Sequence, residues 1–297
     1  MAARLEQVQE GIYVLEGGSN VGFLVQDGEA LAVDMGMDRD TARRALRALG
    51  DLGAKPVGLF LTHAHADHFG GAGEFVQRTG VPVLASGLEA AVVRNPILEP
   101  TYLYGGASPP EALRQKFLLA PPCPVAQEVE PGPLALGPFQ AEVIALPGHA
   151  PGQVGLAWQG TLFCADAFFP QEVLEKHGVP YFYDVDAAVE TLVRLEATAY
   201  GAYVAGHGPW RREVADVAAA NRARLQEIRA WVWEATAQPQ GTEALLAGLA
   251  GRYGLRLDTL PAFVLTRASL LAALTSLARA GEVQAEFADN RLLWRRA

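Results

Sequence analysis

The sequence is 297 residues long and half hydrophobic, enough for one large domain and a smaller one around packed cores rather than a disordered chain. Its 33 acidic residues outnumber 24 basic ones, for a formal charge of -9, which argues against a molecule whose whole surface serves nucleic acid or an anionic membrane. Cys123 and Cys164 are too few for a disulfide framework, and charges sit where a signal peptide would place its apolar stretch. No run reaches the ~18 apolar residues that span a bilayer, so a cytoplasmic protein without a membrane partner is expected.

In chain order, three short β-runs come first, at 11–18, 20–28 and 29–37, with Gly and Asp at each change of direction, which predicts antiparallel strands. Helical spacing over 38–53 (Ala42, Leu46, Leu49) follows, then a buried strand at 57–63, a helix over 68–80 and a strand at 81–86. The Pro- and Gly-rich stretch 95–138 reads as a long loop with one short helix near 111–117. Strands return at 136–148 and 154–166, followed by an amphipathic helix over 184–201 and a last strand at 202–208. Two β-rich halves with helices outside describe an αββα sandwich of the α/β class, over residues 1–215.

Beyond residue 215 the texture changes. Helical patterns at 214–238, 243–254 and 266–281 precede a hairpin at 282–296 with Asp289-Asn290 at its turn. Three helices and a two-stranded wing predict a small, mostly helical, winged-helix-like domain over 216–297. Its ten basic and eight acidic residues leave it only slightly positive. Trp231 and Trp233 are expected in its core.

Five of the six histidines fall in three short motifs: THAHADH at 62–68, PGHAPG at 147–152 and AGHG at 205–208. THAHADH follows the apolar run LFL, so its side chains project where a rigid strand meets a loop. His63 and His65, two apart, can face one cation while Asp67 and His68 turn to a second. Imidazole and carboxylate together suit zinc, with manganese or iron as alternatives. His177 fits no motif and is expected on a surface loop; Cys164 is expected as a small buried strand residue.

This pattern resembles the metallo-β-lactamase superfamily over roughly residues 8–210: His-x-His-x-Asp-His, then a distant His, an Asp and a last His, all at strand ends. By that resemblance His63, His65 and His149 hold one divalent cation, Asp67, His68 and His207 hold another, and Asp166, in FCAD, bridges them. Asp34, in LAVDMG, braces the histidine loop. The resemblance implies a dinuclear metal-dependent hydrolase using a metal-bridging hydroxide, with Asp67 orienting the nucleophile and accepting its proton. Tyr102, Tyr104, Tyr181 and Tyr183 lie in segments that would wall the cleft.

The superfamily does not fix the substrate. The C-terminal unit resembles that of a group containing a ribonuclease and many bacterial hydrolases; glyoxalase II enzymes share the metal motif, but their GHTPGH is GHAPGQ here, with Gln153 last. A small ester or thioester is the expected substrate. Two alternatives stay open. One is a phosphodiesterase or endoribonuclease acting on nucleic acid, with Arg211, Arg212, Arg222 and Arg224 as phosphate contacts. The other is a mononuclear-iron persulfide dioxygenase, which the complete second metal set disfavours. The sequence leaves the oligomeric state unassigned.

Overall fold

In the computed structural model, which describes residues 4–297, the N-terminal strands form the expected meander. β1 (Arg4–Gln9), β2 (Ile12–Glu16), β3 (Val21–Gln26) and β4 (Glu29–Val33) pair antiparallel in sequence order. Helix α1 (Arg39–Asp51) is capped by Asp38, whose carboxylate accepts from Thr41 N, and it buries Ala42, Ala45, Ala48 and Leu49. After it the pairing turns parallel. β5 (Lys55–Phe60), α2 (Ala66–Phe69), α3 (Ala72–Thr79), β6 (Val83–Ser86), α4 (Gly87–Arg94), α5 (Leu98–Leu103) and β7 (Gln127–Val129) complete a seven-stranded sheet ordered β1 to β7.

Two expectations for this region need correction. The single helix over 68–80 is two helices, α2 and α3, broken at Gly70-Gly71. A Cβ on Gly70 would stand 2.1 Å from the Met37 carbonyl oxygen, so the glycine lets the chain pass against the loop after β4. The stretch 95–138 is not one loop with a helix at 111–117. It holds α5, one 3-10 turn at Glu111–Leu113, β7 and the first strand of the second sheet. Elements of three to six residues, one containing Pro100, are too short to show a hydrophobic period.

The second sheet contains β8 (Gly132–Leu136), β9 (Phe139–Ala145), β10 (Val154–Trp158), β11 (Thr161–Ala165) and β12 (Ala202–Ala205), ordered β12-β11-β10-β9-β8. Helices α6 (Gln171–His177) and α7 (Val185–Glu196) lie between β11 and β12 in sequence. The two sheets face each other across a shared layer: Ile12, Val14, Leu24 and Phe60 of the first pack with Phe139, Val143, Leu156 and Phe163 of the second. Along β9 the alternation is plain, with Phe139, Ala141 and Val143 inward and Gln140 and Glu142 in solvent. The outer face of the first sheet is covered by α1, α3 and α4, and that of the second by α7 and the C-terminal helices.

The C-terminal segment comprises α8 (Ala215–Ala235), β13 (Gln240–Gly241), α9 (Thr242–Arg252), α10 (Leu260–Arg279) and the hairpin β14 (Val283–Ala288) and β15 (Arg291–Arg296). Asp289 and Asn290 turn the hairpin with φ of 50° and 60°. β13 adds a third strand on β15. Helix α10 starts at Leu260, six residues before the expected start, because Thr259 caps it and Pro261 fits the first turn.

One hydrophobic cluster runs without a break from Leu146 and Leu192 of the sandwich through Val217, Leu225 and Leu246 to Leu274 and Val283. Trp231 and Trp233 pack against it. α10 is long and apolar enough by composition to cross a membrane, a property its sequence alone did not single out; half of its most apolar window is buried against the rest of the protein. On its other side it holds the 98–118 segment, where Leu103, Leu113 and Leu118 pack on Val264.

Candidate metal centre

The site gathers at one end of the sandwich, where β4, β5, β11 and β12 all stop. The chain leaves β4 at Asp34 with φ of 57°, an uncommon conformation for a side-chain-bearing residue, which turns its carboxylate beneath the histidine loop. Asp34 Oδ1 accepts from Thr62 N at 2.8 Å, while Oδ2 accepts from Thr62 Oγ1 at 2.8 Å and faces His68 Nδ1 at 2.9 Å. With Nδ1 held by Asp34, His68 presents Nε2 to the site. Ala165, just before Asp166, is likewise left-handed, with φ of 51°.

All seven expected ligands converge. His63, His65 and His149 form one group and Asp67, His68 and His207 a second, the donor atoms in each lying within 4.8 Å of one another. His149 Nδ1 faces the Tyr181 carbonyl at 2.9 Å, which turns Nε2 toward His65 Nδ1, 2.8 Å away. His207 Nδ1 faces the Gly18 carbonyl at 2.6 Å, so its Nε2 reaches Asp67 Oδ2 at 3.4 Å and Asp166 Oδ2 at 3.3 Å. Asp166 joins the groups: its Oδ2 lies 3.5 Å from His149 Nε2 and its Oδ1 3.5 Å from His68 Nε2. Gly206 makes room for it, since a Cβ there would fall 2.0 Å from Asp166 Oδ1.

Charge separates the two groups. Burial, with neighbouring imidazoles, pushes His63 well below the ordinary imidazole value and His65 down to about 3, and burial also lowers His149, so these rings are neutral donors. Burial opposes charge at His68 and His207 too, but the carboxylates of Asp166 and Asp67 outweigh it and carry His207 up to about 10. Asp67 is correspondingly held down at about 2: burial raises it, and the facing His68 and His207 more than offset that.

These residues fit divalent cations. His63 Nε2, His68 Nε2 and Asp166 Oδ1 are buried without a hydrogen-bond partner among the described residues. Polar atoms left that way cost about 1–3 kcal/mol each, and cations of the zinc, manganese or iron type satisfy such nitrogen and oxygen donors.

Several supporting residues carried no signal of their own in the sequence. Glu89, buried on α4, accepts from Ala64 N at 2.8 Å and Gly152 N at 2.7 Å, tying the first histidine loop to the His149 loop. Ser19 Oγ donates to the Asp67 carbonyl, and Asn20 Nδ2 donates to the carbonyls of Ala205 at 2.9 Å and Gly208 at 2.7 Å, on either side of His207. Of the four tyrosines, Tyr181 stacks edge-on against His65 and His149 at 5.4 and 5.6 Å; Tyr102, Tyr104 and Tyr183 are exposed. His177 is exposed as expected but ends helix α6 instead of lying in a loop, and Cys164 is fully buried on β11.

A family model described as the metallo-beta-lactamase superfamily matches residues 14–207, a stretch that contains all seven candidate donors. The chain belongs to the metallo-beta-lactamase superfamily. Among relatives in this superfamily, a hydroxyacylglutathione hydrolase of Anaeromyxobacter dehalogenans (strain 2CP-C) is 31% identical over 147 residues, covering 50% of this chain and 45% of that protein. "Probable metallo-hydrolase YqgX" of Bacillus subtilis (strain 168) is 26% identical over 197 residues, covering 64% of this chain and 85% of the other. The chain spans about half the length of the hydroxyacylglutathione hydrolases it matches, 45% of one and 49% of another. In fold, a metallo-beta-lactamase family protein of Thermus thermophilus superposes with a TM-score of 0.74 at 21% identity, covering 98% of this chain and 100% of that one, so the likeness continues through the C-terminal segment.

Proposed function

We propose that this superfamily member is a dinuclear metal-dependent hydrolase of a small ester or thioester, built as a catalytic domain over 1–215 and a winged-helix-like domain over 216–297. The observation that carries this reading is the pair of three-residue donor groups bridged by Asp166. His63, His65 and His149 would hold one cation and Asp67, His68 and His207 the other, with zinc the best match to the donors. When bound, such a pair supplies a water of depressed pKa and polarises the acyl oxygen.

The chain's own groups do the rest. Asp67 orients the attacking water and takes its proton on the carboxylate oxygen not turned to His68 and His207. Asp34, Glu89 and Asn20 keep the donors from rotating away, so little reorganisation is left to the reaction. The Tyr181 ring closes one side of the histidines and excludes water there. A thioester agrees with the relatives named for hydroxyacyl-glutathione, an S-acyl compound.

The nuclease alternative finds less support. The third helix of a winged helix normally enters the groove, but here every residue of α10 from Leu260 to Leu274 is buried or half-buried. Of the expected phosphate contacts, Arg222 is held by Glu196 at 2.7 and 3.1 Å, and Arg224 by the carbonyls of Leu174 and Gly178 at 3.1 and 2.5 Å. The second donor group in turn argues against a one-iron dioxygenase.

The test is turnover of a thioester and ester panel beside labelled RNA, across salt concentrations, by zinc-loaded wild type and Asp67→Ala. The expected result is thioester or ester hydrolysis that falls by about 100-fold or more in the variant, in line with losing a general base. RNA cleavage with a steep salt dependence and no acyl hydrolysis would replace this reading with the nuclease.

A further inference from the structure

The histidine rings do not share one support. His68 and His207 are aimed by Asp34 and the Gly18 carbonyl, both in loops of the first sheet. His149 is aimed by the Tyr181 carbonyl, 2.9 Å from its Nδ1, and Tyr181 lies between α6 and α7 in a stretch without helix or strand. A carbonyl in such a stretch orients a ring only as well as the stretch itself is held.

Residues 180–184 are held on two sides. Toward the His149 loop, the N–H groups of Tyr183 and Asp184 both donate to the Gly148 carbonyl, at 2.9 and 3.0 Å. Helix α7, which follows, sits directly on that loop: Thr191 Oγ1 donates to the Pro147 carbonyl at 2.8 Å, and a Cβ on Gly148 would fall 2.4 Å from Ala188 Cα. On the other side the partners belong to α10. Ser269, only 5% exposed, donates from Oγ to the Pro180 carbonyl at 3.1 Å, nearer than the Leu265 carbonyl of its own helix at 3.3 Å. Arg279 Nη1 donates to Asp184 Oδ2 at 2.7 Å, while Asp184 Oδ1 caps α7 by accepting from Asp186 N and Ala187 N. Consecutive carbonyls, of Pro180 and Tyr181, thus accept from Ser269 and from His149, so releasing the first frees the second to turn.

We infer that Ser269 and Arg279 are positioning residues for His149: α10 fixes the 180–184 segment, and that segment fixes the ring that completes the donor group of His63 and His65. The inference rests on the two-cation reading for what His149 binds. Both residues lie outside the stretch 14–207 that the superfamily model matches, so the C-terminal segment sets the affinity of one cation group and does more than bury apolar surface. Little global stability is at stake. The Arg279 side chain is 56% exposed, where an ion pair adds little, and alanine at 269 is a better helix former than serine.

The experiment measures zinc dissociation constants by chelator competition on full-length protein, in two parents that each isolate one donor group. His207→Ala keeps His63, His65 and His149, and His63→Ala keeps Asp67, His68 and His207. Adding Ser269→Ala and Arg279→Met together is expected to weaken zinc by about 10-fold in the first parent, the size of one to two lost hydrogen bonds, and by less than about 2-fold in the second. Replacing Arg279→Met by Arg279→Lys, which keeps a cation on Asp184, should recover part of the loss. An equal loss in the two parents marks a general loosening of the fold, and no loss in the first marks a ring held without α10; either result overturns the assignment. If the first parent binds no zinc at all, the two-cation reading is what fails, and the ring proton on His149 Nδ1 then decides by nuclear magnetic resonance. Slow solvent exchange of that proton in the wild type and fast exchange in Ser269→Ala/Arg279→Met support the assignment, and equal exchange in the two proteins overturns it.

Discussion

At the scale of single residues, the rings of His68, His149 and His207 are each aimed by an acceptor outside the cluster, Asp34 and the carbonyls of Tyr181 and Gly18. Asp34 is the clearest case, because one carboxylate fixes Thr62 by backbone and side chain and His68 by Nδ1. Asp34→Ala leaves Thr62 N and His68 Nδ1 buried without an acceptor. It should lower stability by about 2–4 kcal/mol in denaturant unfolding and weaken binding of the second cation by about 10- to 100-fold in a zinc titration; affinity and stability both at the wild-type level would show that His68 is oriented by something else. The seven candidate donors and Asp34, which the fold brings together, could be picked out in the sequence because histidine and aspartate in short Gly-bounded motifs have few other uses. Glu89, Asn20 and Ser19 were not legible, because each is one polar residue inside an ordinary helix or turn, and only the fold shows that Glu89 meets Gly152 across 63 positions.

At the scale of elements, strand ends do the positioning. β4, β5, β11 and β12 run into the site from two different sheets, so the donors converge only when the sheets have packed, through the layer that includes Phe60, Leu156 and Phe163. Long elements with a full hydrophobic period, α1, α7 and α8, were readable from sequence; the α2–α3 break and the short pieces between 95 and 138 were not, since close backbone approach at Gly70 and three-residue strands leave no periodic trace. Helix α10 matters most here, clamping the segment that carries Tyr102 through the packing of Leu113 on Val264. Leu113 is fully buried, and Leu113→Ala should cost about 2–4 kcal/mol in thermal or urea unfolding. It should also raise KM for acyl substrates while leaving the metal content at two. A variant with unchanged KM would mean that this segment does not shape the cleft.

At the scale of the whole molecule, the continuous core from Leu146 to Val283 makes the C-terminal segment part of the support for the site. The net charge of -9 disfavours a surface given over broadly to nucleic acid, and Arg222 and Arg224 are held by internal contacts. Substrate choice is therefore carried by the few groups that line the cleft, over a cage that the superfamily shares. That cage is the central claim, and metal stoichiometry tests it most directly: elemental analysis of protein loaded with zinc and freed of unbound ion. Two ions per chain are expected for the wild type and about one for His207→Ala, which removes a donor from the Asp67 and His68 group only. One ion or none in the wild type, or an unchanged two in a His63→Ala/His207→Ala double variant, would contradict it.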